Sequence, residues 1–221
     1  NFLMINSGDS DPFIAFAGSG KLSAVYASDF IDKSDAGDKK PDKLIHCLNK
    51  IAKENDLNSI NTISVTTGPG SFTGIRVGIS IAKGMAFGLG KKIISINNFI
   101  LCLNRLPEIT PAQKYCVLIP AKLPEYYYSI IENNEIISSG CVIPENLAQI
   151  NEKDTLVVGD FDNESLIKHY YFEYINVKNL KSELNSMLEL TELQFDLAKE
   201  AAEIEPLYLK DFSMKKTTGN R

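Results

Sequence analysis

The sequence predicts an α/β fold of two subdomains built on one plan. Three short strands precede alternating helices and strands in the first half of the chain, and the same order returns in the second half. Consecutive strands without a helix between them do not suit a single doubly wound parallel sheet. We therefore expect a duplicated ribonuclease-H-like fold, the plan of the actin-like ATPases (the ASKHA fold).

In the first half, apolar runs separated by turn residues predict strands, and apolar residues at helical spacing after Pro41 predict a helix. The strands are Phe2 to Asn6, Phe13 to Phe16, Leu22 to Ala27, Thr62 to Thr66 and Ile93 to Ile96. Three helices are predicted. The first begins near Pro41, the second runs from Ser71 to Leu89, and the third follows the last strand and ends near Leu106.

The second half shows the same pattern after Pro107 and Pro111, so we divide the chain into subdomains at 1–106 and 107–221. Its predicted strands are Tyr115 to Ile119, Tyr126 to Ile131, Glu135 to Ser138, Thr155 to Val158 and Tyr174 to Val177. Its predicted helices are a short one after Pro144, one from Asp162 to Tyr170, and a long one from Ser182 to Ile204.

Composition limits the function. With 44% hydrophobic and 23% charged residues the chain has the balance of a globular protein. Its net charge of -5 argues against gripping nucleic acid unaided, because phosphates need a concentrated cationic surface. No apolar run reaches the roughly 18 residues of a membrane span, so we expect a cytoplasmic protein with no membrane contact.

The four cysteines, Cys47, Cys102, Cys116 and Cys141, form no C-x-x-C pair and fit a reducing compartment.

The glycine-rich segment from Thr66 to Gly88 permits three interpretations. A phosphate loop is disfavoured, because no Gly-Lys-Ser/Thr is present and the glycine spacing is one residue longer than the dinucleotide fingerprint. The second interpretation is an ordinary core helix, although each interior glycine lowers helix stability by about 0.5 to 1 kcal/mol relative to alanine. The third is a helix built for close contact with another backbone, in its own chain or in another.

The third interpretation rests on a row of small residues at every fourth position, which places them on one face of a helix. The row, called here the glycine ridge, comprises Gly70, Gly74, Gly78, Ala82, Ala86 and Gly90. Phe72 and Arg76 lie one turn apart at the start of the same helix and are of types enriched in interface hot spots. The alternatives are a core position for Phe72 and a solvated charge for Arg76.

The run from Gly68 to Gly78, followed by Ala82 to Ala86, resembles the signature of the TsaB (YeaZ) family. Phe2 to Asn6 is similar to the family's opening strand, and Glu205 to Lys210 is similar to its terminal motif. The resemblance implies an inactive relative of the catalytic subunit TsaD that has an actin-like fold and pairs with TsaD through N-terminal helices. The ATPase TsaE would join them in transferring a threonylcarbamoyl group to adenosine 37 of tRNA, and the isolated subunit would form homodimers.

The interface that this resemblance implies lies on two helices of the first half. Its candidate residues are Leu44, Leu48, Ile51, Gly70, Ser71, Phe72, Thr73, Gly74, Arg76 and Gly78. We expect leucine at Gly74 or Gly78 to abolish pairing with TsaD at modest cost to the fold.

Asn6 and Ser7 are the weaker, nucleotide-proximal candidates. The family's opening strand ends in Asp-Thr or Asp-Ser, whereas here it ends in Asn6-Ser7. The Asp-Ala-Arg that often begins its second subdomain's hairpin is Pro120-Ala121-Lys122. Both changes remove carboxylates that an actin-like ATPase would use, so they weaken a role in nucleotide hydrolysis.

We expect no catalytic residue, cofactor or metal site. The chain has two histidines, His46 and His169, and Lys50 occupies the position one turn after His46. Ser71 lies in Gly-Pro-Gly-Ser-Phe, which is not a nucleophile elbow.

The rival class of function is an enzyme of the same superfold, either ATP-binding and kinase-like or glycopeptidase-like. Direct RNA contact depends only on the basic tail with Lys210, Lys215, Lys216 and Arg221, so we expect tRNA to be met only indirectly.

Overall fold

The computed structural model describes residues 1–8, 11–30, 40–122, 124–150, 154–161, 173–180 and 182–209. They form two five-stranded mixed sheets. The first contains β1 (Phe2–Asn6), β2 (Phe13–Gly18), β3 (Lys21–Tyr26), β4 (Thr62–Gly68) and β5 (Lys92–Asn97). The second contains β6 (Lys114–Pro120), β7 (Tyr126–Glu132), β8 (Glu135–Val142), β9 (Thr155–Gly159) and β10 (Tyr174–Asn176).

The two sheets repeat one topology. The first has the order β3-β2-β1-β4-β5 and the second, read from its other edge, β8-β7-β6-β9-β10. In each, the opening strand pairs antiparallel with the next strand and parallel with the fourth, as β1 does with β2 and β4. This repetition confirms the predicted duplicated α/β fold.

Five α-helices flank the sheets in the described part of the chain: α1 (Lys40–Glu54), α2 (Phe72–Leu89), α3 (Asn98–Leu103), α4 (Leu147–Ile150) and α5 (Glu183–Leu193). Successive β1 residues point to opposite faces of the first sheet. Leu3 and Ile5 join the core under α1 and α2, whereas Met4 joins the core under α3 and α5. The first sheet is therefore covered by helices on both faces.

The predicted long helix from Ser182 to Ile204 is wrong beyond Leu193. The chain leaves the helix at Gln194, and Lys199 then exchanges two backbone hydrogen bonds of 2.8 Å with Ile93. Ile93 belongs to β5, and an edge strand offers unpaired backbone groups. The chain thus crosses the sheet edge from the α5 face to the α2 face. We call Ala198–Leu209 the C-terminal strap.

The strap and α5 both pack on the first sheet, although they follow the second sheet in sequence. Met187 and Leu190 of α5 are buried against β1 and β5, and Ile204 of the strap is buried under α2. The division at residues 106 and 107 stays a prediction. The predicted helix from Asp162 to Tyr170 lies outside the described residues, as does the basic tail. Within the described ranges no helix has the length and apolar content to cross a membrane.

The four cysteines form no disulfide and differ in burial, since Cys141 is half-buried and the other three are buried. Burial raises the pKa of Cys47 to about 11 and that of Cys116 to about 12. Because the thiolate is the reactive form, we expect iodoacetamide at pH 8 to modify the half-buried Cys141 first in the native protein. Cys47 and Cys116 should react only after unfolding, as peptide mass spectrometry would show. Modification of Cys47 at the rate of Cys141 would contradict this.

Candidate partner-docking site

Helix α2 has strong signals at both ends. The Ser71 hydroxyl accepts a hydrogen bond of 3.2 Å from the Gly74 N–H and caps the first turn. Gly90 ends the helix in the left-handed conformation, with φ of 62°, and its N–H donates to the Ala86 carbonyl. These caps account for the confirmed prediction of a helix between Ser71 and Leu89.

The glycine ridge faces the chain's own first sheet. A β carbon at Gly74 would collide with the backbone carbonyl of Ser7, and one at Gly78 would collide with the Ser7 side chain. Ala82 and Ala86 of the same row are buried in the core. The glycines therefore let α2 approach β1 closely, and the expectation that Gly74 and Gly78 contact a partner is wrong.

The candidates on α1 divide in the same way. Leu44 and Ile51 are buried between α1 and the first sheet, so they too are core residues rather than interface residues. Leu48 is half-buried beside them. Gly70 lies against the Gly8 backbone, where a β carbon would collide with its carbonyl oxygen. Of the predicted interface set, the side chains that reach solvent most freely are on α2.

These side chains belong to the outer face of α2, opposite the glycine ridge. The outer face comprises Thr73, Arg76, Ser80, Gly84, Phe87 and Gly88, all exposed. Phe87 is 91% exposed. Apart from the backbone of its own helix, a β carbon at Gly84 or Gly88 would meet no atom of the described residues within 4 Å. A second row of small residues, Ser80, Gly84 and Gly88, therefore runs along the outside of the helix beside an unburied aromatic ring.

The first turn of α2 meets the C-terminal strap at three stacked side chains. The Arg76 guanidinium carbon lies 3.9 Å from the centre of the Phe72 ring and 5.5 Å from that of Tyr208. Arg76 Nε donates a hydrogen bond of 2.6 Å to the Tyr208 hydroxyl. The sequence predicted Phe72 and Arg76 as interface anchors, which stays a prediction, but gave no sign of Tyr208, whose position depends on the course of the strap.

The strap also contacts both sheets. The Leu207 N–H donates to the Thr67 carbonyl at 2.8 Å, and Leu209 packs on the core of the second sheet. The remaining cavity is about 20 Å³, room for little more than one water molecule. Its walls are Pro69, Gly70, Phe72, Ile75, Tyr127, Leu207, Tyr208 and Leu209.

Asn6 and Ser7, the nucleotide-proximal candidates, lie fully buried. The Thr66 hydroxyl donates to Asn6 Oδ1 at 3.2 Å and accepts from the Ser7 N–H at 3.1 Å. Because these contacts are made inside the first subdomain, the two residues line no open cleft, and their assignment to a nucleotide site is corrected. Among the described residues, no three His, Cys, Asp or Glu side chains are grouped to hold a metal.

Comparison with known proteins connects this geometry to a family. TsaB of Haemophilus influenzae, a tRNA threonylcarbamoyladenosine biosynthesis protein, is 30% identical over 184 residues, covering 74% of this chain and 76% of that protein. The chain belongs to the TsaB family. The family model for TsaD, a tRNA N6-adenosine threonylcarbamoyltransferase, matches residues 34–137. This TsaB-family chain therefore also resembles the transferase, over a span that includes α1 and α2.

Two solved structures establish the fold. YeaZ from Pseudomonas aeruginosa superposes with a TM-score of 0.69 at 18% identity, over 94% of this chain and 99% of that chain. MreB 5 of Spiroplasma citri, bound to AMPPNP, superposes with a TM-score of 0.53 at 9% identity, over 89% of this chain and 97% of that chain. At such identities the similarity concerns the fold alone, which is actin-like.

Proposed function

We propose that this chain acts in tRNA threonylcarbamoyladenosine biosynthesis as a non-catalytic subunit that docks onto TsaD through the outer face of α2. The ATPase TsaE would join that complex, and tRNA would be met only through TsaD. In isolation, a second copy of the chain would occupy the same face and form a homodimer.

The observation that carries the proposal is the nearly complete exposure of Phe87 beside Gly84 and Gly88. A phenylalanine with most of its ring in water loses the free energy that burial would provide, about 2 kcal/mol. The two glycines weaken α2 by about 0.5 to 1 kcal/mol each relative to alanine. Both costs are offset when another backbone lies along the helix and covers the ring.

The non-catalytic part of the proposal is supported by the position of the strap, which contacts both sheets. In open α/β folds, ligands bind beyond the carboxyl ends of the strands. Here Leu207 of the strap is hydrogen-bonded at the carboxyl end of β4, to Thr67. The cavity at that place, about 20 Å³, has room for little more than one water molecule.

Arginine at Gly84 is expected to abolish docking without loss of stability. The new side chain would stand in the middle of the outer face and keep the partner's backbone away. Arginine is also a better helix former than glycine, so the melting temperature should hold or rise. Affinity for the TsaD of the same organism, measured by isothermal titration calorimetry, should fall at least about 100-fold, since a displaced interface loses several hot spots.

Serine at Phe87 tests the same surface by removing its aromatic ring. We expect binding to weaken about 30-fold, the effect of losing one aromatic hot spot. The matched control is Leu193→Ser, because Leu193 is 78% exposed but lies on α5, across the first sheet. Weakening by the Leu193 variant alone would move the docking site to that face. Wild-type protein that does not bind TsaD would overturn the proposal.

The rival function, an enzyme of the same superfold, is tested with the isolated wild-type chain. ATP hydrolysis and peptidase activity should both be absent when the chain is purified without TsaD and TsaE. Sustained ATP turnover that disappears when Leu207 is replaced by aspartate would favour the kinase-like alternative instead.

A further inference from the structure

The side-chain stack at the start of α2 holds the Arg76 guanidinium in one place. The cation lies over the Phe72 ring at 3.9 Å, well inside the range of cation–π attraction. Tyr208 fixes its other side through the 2.6 Å hydrogen bond from Nε. The two rings lie 5.4 Å apart, so they support each other as well.

The stack leaves most donors of Arg76 unused. A guanidinium has five N–H donors, and the Nε–H is the one with a hydrogen-bond acceptor among the described residues. Arg76 is exposed and forms no ion pair with any acidic residue that the structure describes. The side chain has thus lost much of its rotamer freedom before any partner binds, which lowers the entropic cost of association.

We infer that the Phe72–Arg76–Tyr208 stack is a preformed receptor for one carboxylate side chain of the docking partner. The planar guanidinium matches a carboxylate through two parallel N–H···O bonds, a geometry that lysine cannot reproduce. Arg76 lies on the outer face of α2, so the contact belongs to the docking surface described above. The inference rests on the proposed function and adds the chemistry of the partner.

A protein carboxylate fits this receptor better than a phosphate of RNA. Binding of nucleic acid draws on several phosphate contacts from clustered cations, whereas α2 carries only Arg76 and Lys83 and the whole chain has a net charge of -5. The receptor is flanked instead by half-exposed aromatic rings, with Phe72 at 36% and Tyr208 at 43%. Arginine beside aromatic residues is the composition of a protein–protein hot spot.

Substitution of Arg76 tests the receptor directly. Titration of full-length protein with TsaD should show binding weakened about 30-fold by Arg76→Gln and about 10-fold by Arg76→Lys, because lysine keeps the charge but loses the planar pair of donors. Lys21→Gln is the charge-matched control. Lys21 is exposed on β3, away from α2, and its loss should leave the affinity unchanged.

Tyr208 is a positioning residue, since it acts on the partner through Arg76. Tyr208→Phe keeps the ring but removes the acceptor, and we expect it to weaken binding about 3-fold while the melting temperature stays the same. In an Arg76→Gln background the same change should have no further effect, because there is no guanidinium left to position.

Charge reversal identifies the carboxylate. Arg76→Glu should abolish binding, and lysine at one Asp or Glu of TsaD, changed one at a time, should restore it. Unchanged affinity of Arg76→Gln, with wild-type protein still binding, would overturn the receptor but leave the docking proposal intact. An effect of Arg76→Gln that appears only with tRNA present and reduces the salt dependence would reassign the receptor to RNA phosphate and overturn the carboxylate. Wild-type protein that does not bind TsaD would overturn both proposals.

Discussion

Alanine at Gly74 is expected to lower the free energy of unfolding by about 3 kcal/mol, whereas alanine at Gly84 in the same helix should raise it by about 1 kcal/mol. The added methyl group is the same and its surroundings differ. At Gly74 it meets the Ser7 backbone carbonyl, which cannot rotate away as a side chain can. At Gly84 it meets no atom of the described residues within 4 Å outside its own helix, so only the entropic cost of glycine is removed.

Urea unfolding followed by circular dichroism measures both changes. Gly88→Ala provides a second outward position and should behave like Gly84→Ala, because it too has open space around its β carbon. The order of stability should be Gly84→Ala, wild type, Gly74→Ala. If alanine at Gly74 were neutral, α2 would not lie as close to β1 as the structure places it, and an interface role for the glycine ridge would return.

The duplicated topology could be predicted from sequence because its signals are local. β1 to β3 are short apolar runs separated by turn residues, and the same pattern returns at β6 to β8. The bounds of α2 were predicted to within one residue, since a serine cap and a left-handed glycine define them. Neither signal depends on what the element packs against.

The direction of the glycine ridge could not be predicted, because helical spacing finds rows of small residues without saying what covers them. Two rows run along α2, one through Gly74 and Gly78 and the other through Gly84 and Gly88. The first faces inward because Ser7, at the end of β1, occupies the space that a larger residue at Gly74 or Gly78 would need. That neighbour is far away in sequence, so only the tertiary structure separates the core row from the exposed row.

The strap was missed for a related reason. Phe195, Ala198 and Ala202 continue the apolar spacing of α5, so periodicity alone extends the helix to Ile204. Pairing of Lys199 with Ile93 at the edge of β5 outweighs that local preference. Tyr208 and Leu209 consequently reach α2 and the second sheet, contacts that no pattern near them in sequence indicates.

Removal of the strap's last six residues, 204–209, is expected to cost about 4 kcal/mol, a large share of the stability of a typical domain. Ile204 is buried under α2 and Leu207 and Leu209 are half-buried. Full burial of an isoleucine contributes about 2 to 3 kcal/mol, and each half-buried leucine about 1 kcal/mol. A chain ending at Glu203 should be compared with one ending at Leu209, so that residues 210–221 are missing from both.

The two shortened chains also separate the strap's effect on stability from its effect on the space between the sheets. Loss of Leu207 leaves the Thr67 carbonyl without its donor and uncovers the end of β4, so hydrogen exchange should accelerate there more than in β2, to which the described strap residues make no backbone hydrogen bond. Ile204→Ala leaves that hydrogen bond in place and should cost about 2 to 4 kcal/mol without the local change in exchange. Equal stability of the two shortened chains would mean that the cores close without the strap, and the position of the strap could then no longer support a non-catalytic role.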